Sequence, residues 1–462
     1  MVTRLPFCMK YVSTRGKSPA VGFAEAFAQG LAPDGGLYVP ESLPSLPPSM
    51  LLEEGPMPYP ALAWDFFSLF DTDHDTDELI ALIDESYGSF SETMTAPLVQ
   101  LAENLYLLEL FHGPTLSFKD FGLQLIGNLF EHQIRHSGEP INVLGATSGD
   151  TGSAAIHGLA NKKGVNVFIL YPKGRISELQ ERQMTCTAAK NIFPIPIEGT
   201  FDDAQAIVKE LMGDLKLKNK LRLSAINSIN LARILAQSVY YVHAYMQLSS
   251  DNRDDVHFAV PTGNFGNVLA GWIAAQMGLP VEKLIVATNR NDILYRLFTT
   301  GQYASGEVHP SVAPSMDIQV ASNFERFLYY TQGEDGKKTS ALMAKIAKTG
   351  KLKIPDFDPG IFAATRCDDD EILANIQRVK EDYGYVVDPH TACAFQEIDP
   401  DRTTVVLSTA SPAKFPDVIK KAIGETPTDP LLDVLKKRKP VRYELEPTAA
   451  AVRAFLEEHA AS

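Results

Sequence analysis

From about residue 98 onward, short β-rich apolar runs alternate with helical patterns of ten or more residues, and this alternation constrains the fold more than any other feature. The strand candidates are 105–110, 141–146, 165–171, 192–197, 256–260, 284–288 and 403–407. A run that is apolar at nearly every position has no face to offer water, so helices must cover it on both sides. The pattern predicts an α/β fold of mainly parallel sheets, with ligands gathered at the carboxyl ends of the strands. Ahead of this region, 11–40 reads as strand, helix (23–29), Asp34-Gly35-Gly36 turn and strand. A proline-rich connector at 43–60 and helices at 64–70 and 77–87 follow. Between Thr299 and Gly360 the alternation blurs into an insertion with helices at 324–330 and 342–348. The expected division is 1–98, then 99–424 carrying the insertion at about 299–360, then a C-terminal extension at 425–462.

Composition excludes several classes of function. The 462 residues include 42 basic against 57 acidic side chains, a formal charge of -15, which is ill suited to a phosphate backbone, so no nucleic-acid partner is expected. The basic run 436–439 reads as a solvated helix end. Cys8, Cys186, Cys367 and Cys393 are far apart and form no CxxC pair, which argues against both a zinc site and a disulfide framework and points to a reducing cytoplasm. No metal is expected, because Asp368-Asp-Asp370 precedes a helical pattern and suits the helix dipole. No segment reaches the uncharged length of about 18 residues that a membrane helix needs.

One lysine stands out. In Phe111-His-Gly-Pro-Thr-Leu-Ser-Phe-Lys-Asp-Phe-Gly122, Lys119 follows a turn-rich lead-in and opens an apolar-periodic run at 121–130. The partial positive charge of a helix N-terminus should ease loss of the ammonium proton. A neutral amine is a nucleophile and condenses with an aldehyde to a Schiff base. For a lone lysine, exposure in a loop is the commoner explanation, so the remaining strand ends must be consulted.

Several of those ends have compositions suited to anions. Gly145-Ala-Thr-Ser-Gly-Asp-Thr-Gly152 follows a strand, and its N–H groups with the hydroxyls of Thr147, Ser148 and Thr151 can converge on a carboxylate. A tight turn with ordinary caps is the alternative. Pro261-Thr-Gly-Asn-Phe-Gly-Asn267 frees the backbone at Gly263 and Gly266 to wrap a phosphate, while Asn264 and Asn267 add amide donors. It is neither a Walker A loop nor GxGxxG, which disfavours a nucleotide. Asn227-Ser-Ile-Asn-Leu-Ala-Arg233 opens a long helix running to about Gln247; Ser228 reads as its N-cap, and Arg233 could fork a second phosphate. The last strand ends in Ser408-Thr-Ala-Ser-Pro-Ala-Lys414, where Ser411 reads as a helix N-cap. His112 and His390 read as structural or solvated.

HGPTLSFKD, STRG, APDGGLYVP, the SGDTG loop, GNFGN, NSIN with its arginine, and STASPAKF resemble segments of threonine synthase of the longer type, spread over nearly the whole chain. That resemblance implies a fold-type II, tryptophan synthase β-like pyridoxal-phosphate enzyme: two parallel-sheet lobes plus an N-terminal domain. It implies that Lys119 bonds the cofactor, that Gly263, Asn264, Phe265, Gly266 and Asn267 cup its 5′-phosphate, and that Thr409 partners the pyridine nitrogen. Thr147, Ser148, Gly149, Asp150 and Thr151 would face the substrate carboxylate, and Asn227, Ser228, Arg233 and Asn267 the substrate phosphate. The implied reaction turns O-phospho-L-homoserine and water into L-threonine and phosphate. Another phospholyase, a threonine or serine dehydratase, and a non-catalytic metabolite-binding relative are the alternatives; monomer and homodimer both stay open. Many relatives have Asn where Asp150 stands, beside the cofactor's phenolic oxygen, and two negative groups there would repel. Ser13, Thr14 and Arg15 are candidates for the substrate side, and Pro314-Ser-Met-Asp317 for the active-site edge.

Overall fold

The computed structural model describes residues 9–461 apart from 53, 54, 56, 71, 148, 226 and 227. Its larger sheet has six strands in the order Phe362–Arg366, Lys283–Thr288, His257–Pro261, Thr404–Ser408, Leu105–Glu109 and Leu98–Ala102. The first five are parallel and the last is an antiparallel edge. A second, wholly parallel sheet runs Ile192–Ile197, Val165–Pro172, Ile141–Ala146 and Leu223–Ala225. The seven strands read after residue 98 are all present, with ends within a residue. Three more were not legible. Leu223–Ala225 is too short for any periodicity, Phe362–Arg366 carries two alanines of weak β preference, and Leu98–Ala102 is a half-exposed edge.

The helix Leu231–Gln247 is buried along nearly its whole length and packs against the helices Lys119–Ser137 and Gly266–Gln276. A helix apolar on all sides can only sit inside. Its approach to the lysine helix depends on Gly122, where a Cβ would stand 2.6 Å from Arg233 Cγ. The lysine helix also crosses Asp150–Leu159 at backbone contact, since a Cβ on Gly127 would fall 1.9 Å from the carbonyl of Gly158. Two pairs of close approaches thus set where Lys119 points.

The N-terminal region pairs Tyr11–Ser13 antiparallel with Tyr38–Pro40 and packs the helices Tyr59–Phe67 and Thr76–Tyr87 on the core. The first of these starts earlier than expected, because Pro60 lies in its first turn, where a missing N–H costs nothing. In the insertion, Gln302–Ala304 pairs with Lys351–Lys353 and closes off the helices Phe324–Thr331 and Gly336–Thr349. At the C-terminus, Ala449–His459 lays Val452, Phe455 and Leu456 over Phe168 and Phe193 of the smaller sheet. The basic run 436–439 is exposed at the end of the helix Pro430–Lys436, as expected, and Arg438 also donates to the Cys186 carbonyl (3.2 Å) just past the helix Glu178–Thr185. Among the described residues no helix is long and apolar enough to cross a membrane.

Candidate active site

Lys119 is the first residue of its helix and is buried. Its lead-in is tied to the end of the last strand: Phe118 N donates to Thr409 O (2.9 Å) and Ser411 N to Leu116 O (3.1 Å). The lysine and threonine segments, far apart in sequence, therefore form one unit. The lysine's pKa is lowered chiefly by burial, with Lys414 and Arg233 adding to the effect and Asp150 opposing it. Desolvation rather than the helix terminus is the leading cause, because the charged form loses more hydration than the dipole can perturb. The neighbouring Asp120 accepts from Thr115 N (2.8 Å) and Thr115 Oγ1 (2.9 Å), fixing the turn that presents Lys119; burial pushes its carboxyl up to about 6.

Asp150 faces Lys119 across the cleft. Its carboxylate meets Lys119 Nζ at 3.1 Å and Lys414 Nζ at 2.8 Å, and accepts from Gln180 Nε2 (2.9 Å) and Ser315 Oγ (3.1 Å). Burial alone would raise its pKa, but Lys119, Lys414 and His390 together hold it well below the ordinary range. Lys414 is wholly buried and also donates to Thr115 O at 2.8 Å. A second lysine thus balances the charge of the carboxylate from inside the protein. His390 lines the cleft as well. Its Nδ1 bonds Asp388 at 2.8 Å, so Nε2 carries the lone pair and accepts from Ser315 N at 3.2 Å.

The opposite wall is built for anions. Gly263-Asn264-Phe265-Gly266-Asn267 links the strand His257–Pro261 to the helix Gly266–Gln276, with Phe265 buried in a left-handed conformation (φ 64°). Tyr240 and Tyr241 donate to Asn267 Oδ1 at 2.6 and 3.0 Å, which turns Nδ2 the other way. That buried donor has no partner among the described residues, and Asn267 lines the cleft. A buried amide donor left unmatched is costly unless a ligand takes it. A Cβ at Gly263 would stand 3.1 Å from Ser315 O, so the loop hugs the cleft too closely for a side chain. Arg233 is buried in the same cleft, and burial lowers its guanidinium to about 10. An aldehyde phosphate fits these residues: a buried amine to bond, a glycine-lined cup with an unmatched donor, and Thr409 on the same wall.

Of the residues named from the sequence, Lys119, Asp150, Thr151, Ser228, Arg233, Gly263 to Asn267 and Thr409 share this cleft. Ser148 and Asn227 lie outside the described residues. Thr147 and Gly149 do not line the cleft; Thr147 Oγ1 accepts from Gly149 N (3.0 Å) and Gly152 N (2.8 Å) and so holds the loop's shape. Ser228 is not the N-cap of its helix. Asn230 is, accepting from Ala232 N at 3.0 Å, while Ser228 Oγ pairs with Ser322 Oγ at 2.8 Å. Thr14 and Arg15 bind Glu325 of the insertion, Arg15 bidentately at 2.9 and 3.0 Å, and Ser13 binds Asp34; none of the three lines the cleft. Ser315 and Met316 of the insertion do. Lys414 and Gln180 were not singled out from the sequence, and His390, read there as structural or solvated, is buried in the cleft wall. The Ala413-Lys414 pair beside Thr409 was the one available signal.

The fold and this cleft define the class, and comparison with known proteins agrees. Residues 92–409 match the family model described as "Pyridoxal-phosphate dependent enzyme", and the chain belongs to that family. Within it, residues 10–87 match "Threonine synthase N terminus" and 389–456 match "Threonine synthase, C-terminal". A threonine synthase of Pseudomonas aeruginosa is 44% identical over 98% of both chains. Among solved structures, a pyridoxal-phosphate-bound threonine synthase from Brucella melitensis superimposes with a TM-score of 0.93 at 41% identity, covering 98% of this chain and 100% of that one. The yeast threonine synthase gives 0.91 at 37% identity over 98% and 99%. The chain is a pyridoxal-phosphate-dependent member of the threonine synthase family.

Proposed function

We propose that this cleft converts O-phospho-L-homoserine and water into L-threonine and inorganic phosphate. The observation that carries the reading is one buried amine, Lys119, flanked by two anion-binding positions: the 263–267 cup and the buried Arg233. A cofactor phosphate needs one of them. A hydroxy-amino-acid substrate carries no phosphate for the other.

Lys119, the cup and Thr409 would hold pyridoxal 5′-phosphate, which when bound supplies an electron sink for proton loss beside the substrate amine. Burial keeps the amine of Lys119 able to take protons from the substrate's Cα and Cβ and to return them. Arg233, Ser228, Asn227 and Asn267 hold the substrate phosphate and stabilise the departing anion. Thr151, with the loop shaped by Thr147 and Gly149, receives the carboxylate beside Ser148. Asp150 stays ionised because Lys414 and Gln180 satisfy it, and so keeps Lys119 oriented between proton transfers.

The test is phosphate release from O-phospho-L-homoserine by purified protein, with and without added pyridoxal phosphate, with threonine quantified alongside the Lys119→Ala variant. Cofactor-dependent release matched one-for-one by threonine and lost in the variant is expected. Release accompanied by a keto acid would make the enzyme a phospholyase and overturn the assignment of product.

A further inference from the structure

The far end of the lysine helix carries a second group of ligating side chains that the active site does not use. His132 and His136 lie four residues apart on Lys119–Ser137 and so share one face. Glu78 reaches that face from the adjacent helix Thr76–Tyr87. His132 Nε2 and His136 Nε2 each stand 3.3 Å from Glu78 Oε1, and all three ligand atoms fall within 4.8 Å of one another. Among the described residues no other group of this kind occurs.

The geometry makes the arrangement more than a cluster. His136 Nδ1 lies 3.1 Å from the carbonyl of His132, which can only accept, so Nδ1 carries a proton and the ring is turned with Nε2 toward Glu78. His132 Nε2 is buried and faces the same Glu78 oxygen. Two ring nitrogens thus crowd one carboxylate oxygen, while the ring centroids of His132 and His136 are only 4.2 Å apart. A single divalent ion would take all three ligand atoms at once.

Tetrahedral zinc with bonds of about 2.0–2.1 Å holds its ligand atoms about 3.3 Å apart, the spacing seen here between Glu78 and each imidazole. The outer contacts also suit a metal. The His136 Nδ1–H···O=C bond fixes the tautomer, and Glu78 Oε2 is engaged by Asp75 N (3.4 Å) in the capping box, which orients the carboxylate. His74 closes the wall, its ring 4.8 Å from that of His132 and its buried Nδ1 without a hydrogen-bond partner among the described residues. His136 is 61% exposed, which gives an ion a way in.

We propose that Glu78, His132 and His136 bind one divalent transition ion of the zinc type, with water completing the coordination. The ion would clip the last helix of the N-terminal region to the end of the helix that begins with Lys119. His132 is 13 residues along that helix, about 20 Å from the lysine, so the ion acts on stability and helix placement and leaves the chemistry alone.

The test uses the full-length holoenzyme, stripped with EDTA and titrated with zinc chloride against a chromophoric chelator. Expected are one zinc per chain, a raised melting temperature on binding, and d–d absorption when cobalt(II) replaces zinc. His132→Ala and His136→Ala should each weaken binding by at least about tenfold and abolish the thermal shift. Since His136 is mostly exposed, its variant should fold normally and keep full phosphate release. Absence of stoichiometric uptake by the unmodified enzyme, or equal uptake by both variants, would sink the proposal.

Discussion

The two walls of the cleft solve the same problem in opposite ways. On the Asp150 wall every charge is answered from within the chain: the carboxylate meets two lysines, a glutamine and a serine. On the cup wall the Tyr240 and Tyr241 hydroxyls saturate one side of Asn267 and leave its Nδ2 without a partner among the described residues. The first wall is complete as folded; the second is completed by an anion. A buried donor left open lowers stability until the ligand arrives, so folding and ligand binding are coupled on that wall and independent on the other.

Lys119 belongs to both walls, so Lys119→Ala should break the comparison outright. Phosphate release is expected to fall by ~10⁴-fold, combining lost proton transfer with lost bonding to the cofactor; single-turnover assays would show it, and residual turnover within tenfold of the parent would refute the role. The closed wall alone is broken by Lys414→Met, which leaves a buried carboxylate short of one cation. Urea unfolding of the cofactor-free protein should show a loss of roughly 3–5 kcal/mol. Adding Asp150→Asn should recover much of it, because the unbalanced charge is then gone. If the single variant were as stable as the parent, the wall would not be charge-balanced in the way described.

The open wall is tested by Asn267→Asp, which keeps an acceptor for both tyrosines while replacing the unmatched donor with a negative charge. Pyridoxal-phosphate affinity, measured by equilibrium dialysis, should fall by about 10–100-fold, while the cofactor-free protein loses less stability than Lys414→Met does, because both tyrosine hydroxyls still donate to the new carboxylate. An equal loss of stability without cofactor would erase the distinction between the walls. The smallest effect is set by pH. His157, on the helix that begins with Asp150, is pushed down to about 4, first by burial and then by Lys414 and Arg438. The folded state then binds fewer protons than the unfolded state between about 4 and 6.5, so its contribution is intact above 6.5 and is lost as pH falls, by about 1.4 kcal/mol per pH unit. His157→Gln should flatten the stability profile in that window by one proton, read from urea midpoints at successive pH values.

What could be read from the sequence was local. The runs 141–146 and 192–197 gave strands with those bounds, and GNFGN gave a strand-to-helix turn, because apolar runs and glycine spacing act through the backbone beside them. Asp368-Asp-Asp370, read as preceding a helix, does so, with Asp368 capping Asp369–Tyr383 and Glu371 completing the box. Where two signals competed within a few residues the choice failed: Asn230, not Ser228, caps the central helix, since its Nδ2 is also held by Phe27 O across the domain (2.8 Å).

The sequence by itself determined that the chain would form layered α/β lobes and that Lys119, the cup and Thr409 would lie at strand or helix ends, because periodicity and turn chemistry are properties of neighbouring residues. Only the tertiary structure decided what those residues meet. Lys414 comes to Asp150 because Ser411 and Thr409 are pinned to the lead-in of Lys119, and Glu78 comes to His132 because two helices pack. Energies of charge pairing and ligation depend on distances across the fold, and no local pattern carries them.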